Sequence, residues 1–219
     1  MSVHVTTSAS VREALDRSHE RLARSGVWWD AEQVTAVARR ADAAFAQRAV
    51  PPWTRELPGE TSNLDDVALA VVDRIATNAG TIDRAWASAQ IAALGDAPYV
   101  ELVGIVAVAV MLRMYAEAAG ETPSAIGDPV VDAGQPTRQR PDGPIDIGAY
   151  VHVAGHLPMV NVVRALSLVP AANETFLGLV AALYAGDKFT ELVWDASPLT
   201  RPQVELVASR VAAMNDCFY

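Results

Sequence analysis

Cys217 is the only cysteine of this 219-residue chain, and Glu205 precedes it by roughly three turns on a segment that reads as one helix. A thiolate attacks a peroxide oxygen and becomes a sulfenic acid, which a neighbouring thiol or selenol resolves to a disulfide or selenylsulfide. An ordinary thiol titrates at about 8.5, so at neutral pH it needs a nearby base or relay. Glu205 lies near the same helical face as Cys217 and is placed to pass protons through a histidine or water. On residue type alone, a lone cysteine is usually an inert buried thiol and a helix glutamate a solvated carboxylate. His152 and His156 form an i, i+4 pair, but a metal site needs at least a third ligand, HVAGH lacks the metalloprotease glutamate, and Gly155 and Pro158 argue for irregular chain. No metal or other cofactor is therefore expected, and a hydrogen-bonded structural role suits His156 better. Arg138 and Arg140 read as solvated loop arginines rather than anion ligands, and Trp28-Trp29 as a packed anchor between helices rather than a ligand wall.

The elements that must position these residues are helical. Thr200 can cap a first turn that contains Pro202, and Gln203 completes a capping-box spacing. Val204, Val207, Ala208 and Val211 then recur at a helical period with no Gly or Pro to stop the run. Upstream, Ser10 to Arg24 and Asp30 to Ala49 read as helices, with Asp30 as a cap, and Pro51-Pro52-Trp53 and Pro58-Gly59 break the chain before a new element near Ser62. The longest apolar run, Leu102 to Leu112, is too short to span a bilayer and reads as a buried core helix. Gly120 to Gly148 is rich in Pro, Gly and Asp and reads as a linker or long loop. Glu174 to Tyr184 is a further apolar helix, and Asp187 to Trp194 leads into the last one. Phe176, Leu179, Leu183 and Trp194 suit either a pocket wall or plain core packing. No strand pattern competes, so the expected fold class is all-α.

The runs Leu199-Thr200-Arg201-Pro202-Gln203-Val204-Glu205-Leu206-Val207 and Asn215-Asp216-Cys217-Phe218-Tyr219 resemble the active-site helix of the AhpD-like alkylhydroperoxidase and carboxymuconolactone decarboxylase superfamily, in its peroxidase-related branch. In that pattern a glutamate lies twelve residues before the first cysteine of a CxxC, the spacing of Glu205 and Cys217, and a histidine follows four residues after the second cysteine. The second cysteine and the histidine would fall beyond Tyr219. Either the chain is cut there, or it is a paralogue without the redox centre, or the next codon is UGA read as selenocysteine, as in alkylhydroperoxidase-related selenoproteins. The resemblance implies a thiol- or selenol-dependent peroxidase, close to inactive as this chain stands, with Cys217 and Glu205 as catalytic residues. It also implies a hydroperoxide substrate, a thiol reductant and a homo-oligomer. A non-catalytic helical interaction protein that kept the fold is the alternative. A lactone decarboxylase is disfavoured, because that branch does not need the CxxC.

The resemblance extends to Leu64–Ala119 with altered positions. Setting Asp73-Arg74-Ile75-Ala76 beside Ser209-Arg210-Val211-Ala212 gives an internal repeat in which Leu69 stands for Glu205, Thr81 for Cys217, and Arg84 and Ser88 for the second cysteine and the histidine. The expected organisation is an N-terminal helical extension at 1–60, a degenerate AhpD-like core at 61–120, a loop at 121–148 and a second, incomplete core at 149–219. A formal charge of -9 argues against nucleic acid and anionic membrane surfaces as partners. One cysteine, and a polar stretch from Met1 to Glu20 without an apolar signal region, fit a cytoplasmic protein.

Overall fold

The first helices of the chain start where a short oxygen-bearing side chain meets the free N–H groups of a first turn. The computed structural model describes residues 7–48, 63–130, 134–155, 161–184 and 198–214. In it Ser8 accepts from the Val11 N–H at 3.3 Å to begin α1 (Ala9–Arg21). Asp30 begins α2 (Ala31–Ala46) with a reciprocal box: its carboxylate accepts from the Gln33 N–H at 2.8 Å, and the Gln33 side chain accepts from the Asp30 N–H at 3.1 Å. Asp65 and Asp83 accept from Ala68 N–H at 2.7 Å and Trp86 N–H at 2.8 Å, starting α3 (Asp66–Asn78) and α4 (Arg84–Leu94). Each such cap is worth about 1 kcal/mol. A 3-10 turn, Ala79–Thr81, joins α3 to α4.

Gly95, at φ 88°, ends α4 and begins α5 (Asp96–Ala119) in a conformation that a Cβ would strain, so two helices follow each other with no loop between them. The expected apolar run lies inside α5, where Leu102, Val106, Val108 and Ala109 are buried against α2, α3 and α7. The whole helix is longer than that run. By length and composition it would cross a membrane, yet here it is the central helix of the core. Gly104 lets α7 approach closely, since a Cβ there would stand 3.2 Å from that of Ala172. Beyond the loop come α6 (Asn161–Arg164), α7 (Pro170–Tyr184) and α8 (Arg201–Met214). Pro170 at the first turn of α7 supplies a preset φ, which is why that helix starts ahead of Glu174.

The fold is all-α. Its departure from helix among the described residues is one antiparallel pair of two-residue strands, β1 (Pro144–Ile145) with β2 (Val153–Ala154). Buried side chains from α2, α3, α5 and α7, with Leu22 and the Leu166–Val169 turn, form one cluster. Thus helices of the expected extension and of both expected cores pack together. Bidentate ion pairs brace the rim: Arg40 reaches Asp73 at 2.7 Å from α2 to α3, and Arg113 of α5 holds Asp42 of α2.

Of the two readings of the Pro-rich segment, the long loop is the one that describes its course. It runs back along the α1–α2 connection as a strap. Val130 N–H donates to Ala23 O at 2.8 Å, Arg138 N–H to Val27 O at 2.7 Å, and the Ser25 hydroxyl to Gly134 O at 2.7 Å. Arg39 bonds Gly127 O at 2.9 Å, Arg140 pairs with Asp96 at 2.7 Å, and Arg84 donates to Gly148 O at 2.6 Å. Arg140 is therefore committed to the head of α5.

Candidate functional site

The side chain of Gln203 reaches back to accept the Thr200 N–H at 2.8 Å, and the Gln203 and Val204 N–H groups donate to Thr200 O at 3.0 and 3.1 Å. This turn begins α8 at Arg201, but only the Gln203 half of the expected box forms: the Thr200 hydroxyl donates to Gln203 Oε1 at 3.0 Å instead of accepting a first-turn N–H. It fixes Glu205 one turn in. The Glu205 carboxylate accepts from Arg201 Nε at 3.2 Å, with its side chain 44% exposed. It also meets the phenol of Tyr184, the last residue of α7. Burial pushes that phenol above its ordinary value of 10.0, and the hydrogen bond to Glu205 and its negative charge raise it further, while Arg201 opposes them. A carboxylate, a phenol and a guanidinium thus converge where α7 meets α8, a set able to hold and exchange a proton. Tyr184 carries no sequence signal for this role beyond its place at the end of an apolar helix.

Cys217 lies outside the described residues, as do His156 and Trp194. His152 stands exposed just ahead of β2, outside any helix. Among the described residues no group of three or more His, Cys, Asp or Glu side chains is arranged to hold a metal ion. Leu179 is buried, and Phe176 and Leu183 pack partly buried against the core.

At the positions that the expected repeat sets against Glu205, Cys217, the second cysteine and the histidine, most side chains make structural contacts. Leu69 packs against the core, and the Thr81 hydroxyl donates to Asn78 O at 2.9 Å. Arg84 clamps the strap and lies 5.1 Å from the ring of Tyr150. Ser88 is exposed.

The best-built polar centre in the described protein is one that residue types did not point to. Glu101, in the second turn of α5, is 2% exposed. Its carboxylate accepts three successive backbone N–H groups, from Val27 at 2.5 Å, Trp28 at 2.6 Å and Trp29 at 3.1 Å. Gly26 precedes them, and a Cβ at that position would overlap the same carboxylate. Trp29 is buried, and its Nε1 donates to Pro98 O at 3.0 Å, so the tryptophan pair anchors the α1–α2 turn onto α5. A cavity of about 30 Å³ beside Glu101, lined by Ile105, Val108 and Ala172, has room for little more than a water. The arrangement is a clamp on the turn.

Comparison with protein-family models, curated proteins and solved structures returns no match.

Proposed function

We propose that the protein is a thiol- or selenol-dependent oxidoreductase of the peroxidase type, with Cys217 as nucleophile and Glu205 in its proton relay. The observation that supports this reading is the place of Glu205: it sits one turn into α8, twelve residues ahead of Cys217 in sequence, and its carboxylate is hydrogen-bonded to both Arg201 and Tyr184. In the reaction the Cys217 thiolate attacks the distal oxygen of a hydroperoxide. The O–O bond breaks, the alcohol leaves with a proton relayed through Glu205, and Cys217 becomes a sulfenic acid. A thiol reductant then condenses with it, releasing water, and a second equivalent of thiol restores Cys217 and leaves as disulfide. The reading implies a reducing, cytoplasmic setting and self-association.

The test is chemical. The chain is treated with cumene hydroperoxide and then dimedone, and the adduct is located by mass spectrometry. A sulfenic acid at Cys217, formed at least about 100-fold more slowly in Glu205→Gln, is the expected result. No adduct, together with iodoacetamide alkylation no faster than that of free glutathione, would overturn it.

A second reading, a non-catalytic helical interaction protein, is favoured by one observation. Leu206 and Val207 of α8 are 72% and 59% exposed, an apolar surface that partner helices commonly cover. A slow Cys217 would leave this reading standing.

A further inference from the structure

Between α1 and α7 runs an open groove of about 400 Å³, within the range of about 300–1,000 Å³ usual for small-ligand pockets. Its floor is closed and largely apolar: Ala14 and Leu179 are only 3% and 1% exposed, and the buried Ser18 hydroxyl is spent on Ala14 O at 2.7 Å. Gly178 leaves a gap in one wall: a Cβ built there would meet no other group within 4 Å. The inner cavity beside Glu101 shares Arg21 and Thr175 with the groove, and its volume of about 30 Å³ stops any ligand larger than water at that point.

The charges around the groove are of both signs. Arg17, Arg21 and Arg24 come from α1 and the turn after it, and Glu20 and Glu174 complete the rim. Arg21 gives one proton to Ser25 O at 2.7 Å and keeps the other donors of its fork. Among the described residues Arg17 is tied only to Glu13, at 3.6 Å in a pair whose side chains are 68% and 72% exposed, which is a weak commitment. Among the described residues, no ion pair engages Arg24, Glu20 or Glu174. A simple anion in this groove would have to sit beside two carboxylates, and a simple cation beside three guanidinium groups. A molecule that carries both charges, with an apolar arm between walls and floor, meets complementary partners throughout.

We propose that the α1–α7 groove binds a small zwitterion of the α-amino acid class with an apolar side chain. Its carboxylate is taken by the arginine forks, which match carboxylate geometry in a bidentate manner. Its ammonium lies toward Glu20 and Glu174, and its side chain passes over Gly178 onto Leu179 and Ala14. The proposal is independent of the redox reading, because none of these residues lies on α8.

The full chain is titrated with leucine and phenylalanine by calorimetry, with saturation-transfer NMR as a second readout, alongside N-acetyl-leucine and leucine amide. Two variants accompany it. Gly178→Leu fills the gap from an exposed helical position where a side chain meets open space, and Arg24→Ala removes an exposed cation; unchanged circular dichroism establishes that both are folded. Binding at a Kd of about 1 mM or tighter, weakened at least about tenfold by either blocked end group, by Gly178→Leu and by Arg24→Ala, is the expected result. No binding of either amino acid, equal binding of the blocked compounds, or binding indifferent to Gly178→Leu would overturn the proposal.

Discussion

Glu101 is a buried carboxylate with no cation on it among the described residues, and its stability rests on three amide dipoles supplied by one turn. Charge-assisted hydrogen bonds are worth roughly twice neutral ones, and a buried group left without its partners carries the full desolvation cost. Glu101→Gln retains the shape but turns an N–H₂ toward at least one of the three donors. The variant is expected to lose about 2–4 kcal/mol of unfolding free energy in urea titrations. Gly26→Ala should be destabilised for the complementary reason, since its Cβ would displace the same carboxylate. A loss within about 0.5 kcal/mol for both variants would mean that the clamp contributes nothing. None of this is legible from the sequence. Glu101 is a lone acid near the head of an apolar helix, and its partners are backbone N–H groups of a distant turn, which leave no mark in residue type.

Local signals did locate the elements. Asp30 caps α2 as its type suggests, with Gln33 closing a box around it, the Leu102–Leu112 run is buried inside α5, and Thr200 to Gln203 start α8. Each rests on interactions within a turn or on helical periodicity, and those are what a sequence encodes most directly. Glu205 was placed from the same signals, whereas its partner Tyr184 depends on how α7 and α8 meet. The strap shows the other side. Its Pro, Gly and Asp content forecasts an irregular course but says nothing of where that course leads, because it is docked by backbone atoms and by Arg39, Arg84 and Arg140. Docking predicts an exchange pattern. The Val130 and Arg138 amides, bonded to Ala23 O and Val27 O, should exchange with deuterium at least about tenfold more slowly than that of Thr137. Glu101→Gln should erase the difference at Arg138, since it loosens the turn that carries Val27. Equal rates along the segment in the unaltered protein would show it undocked.

Two titrating groups tie the stability of the whole molecule to pH in the same direction but in separate windows. His19 sits where α1 meets the core, and its Nδ1 is buried without a hydrogen-bond partner among the described residues. Burial pulls the imidazole below its ordinary value of 6.5, with Asp16 and Asp42 opposing. The folded protein therefore keeps it neutral while the unfolded chain takes up a proton. Its contribution is fully present above about 6.5 and is lost as pH falls through the folded value. Asp96 is held below its ordinary 3.8 chiefly by the hydrogen bonds from Arg140, against burial. That contribution persists to lower pH and disappears only as the carboxylate protonates. Arg140 is 43% exposed, so solvent screening limits the pair to less than about 1 kcal/mol. Urea midpoints should thus fall in two stages on acidification. His19→Gln should flatten the drop that sets in as pH falls below about 6.5, and Arg140→Ala should lower the midpoint near neutrality and converge on the parent only once Asp96 is protonated in the folded state. A first stage of equal size in His19→Gln would show that this histidine does not set the upper window, leaving the overall acidic charge of -9 and its neutralisation to account for the slope.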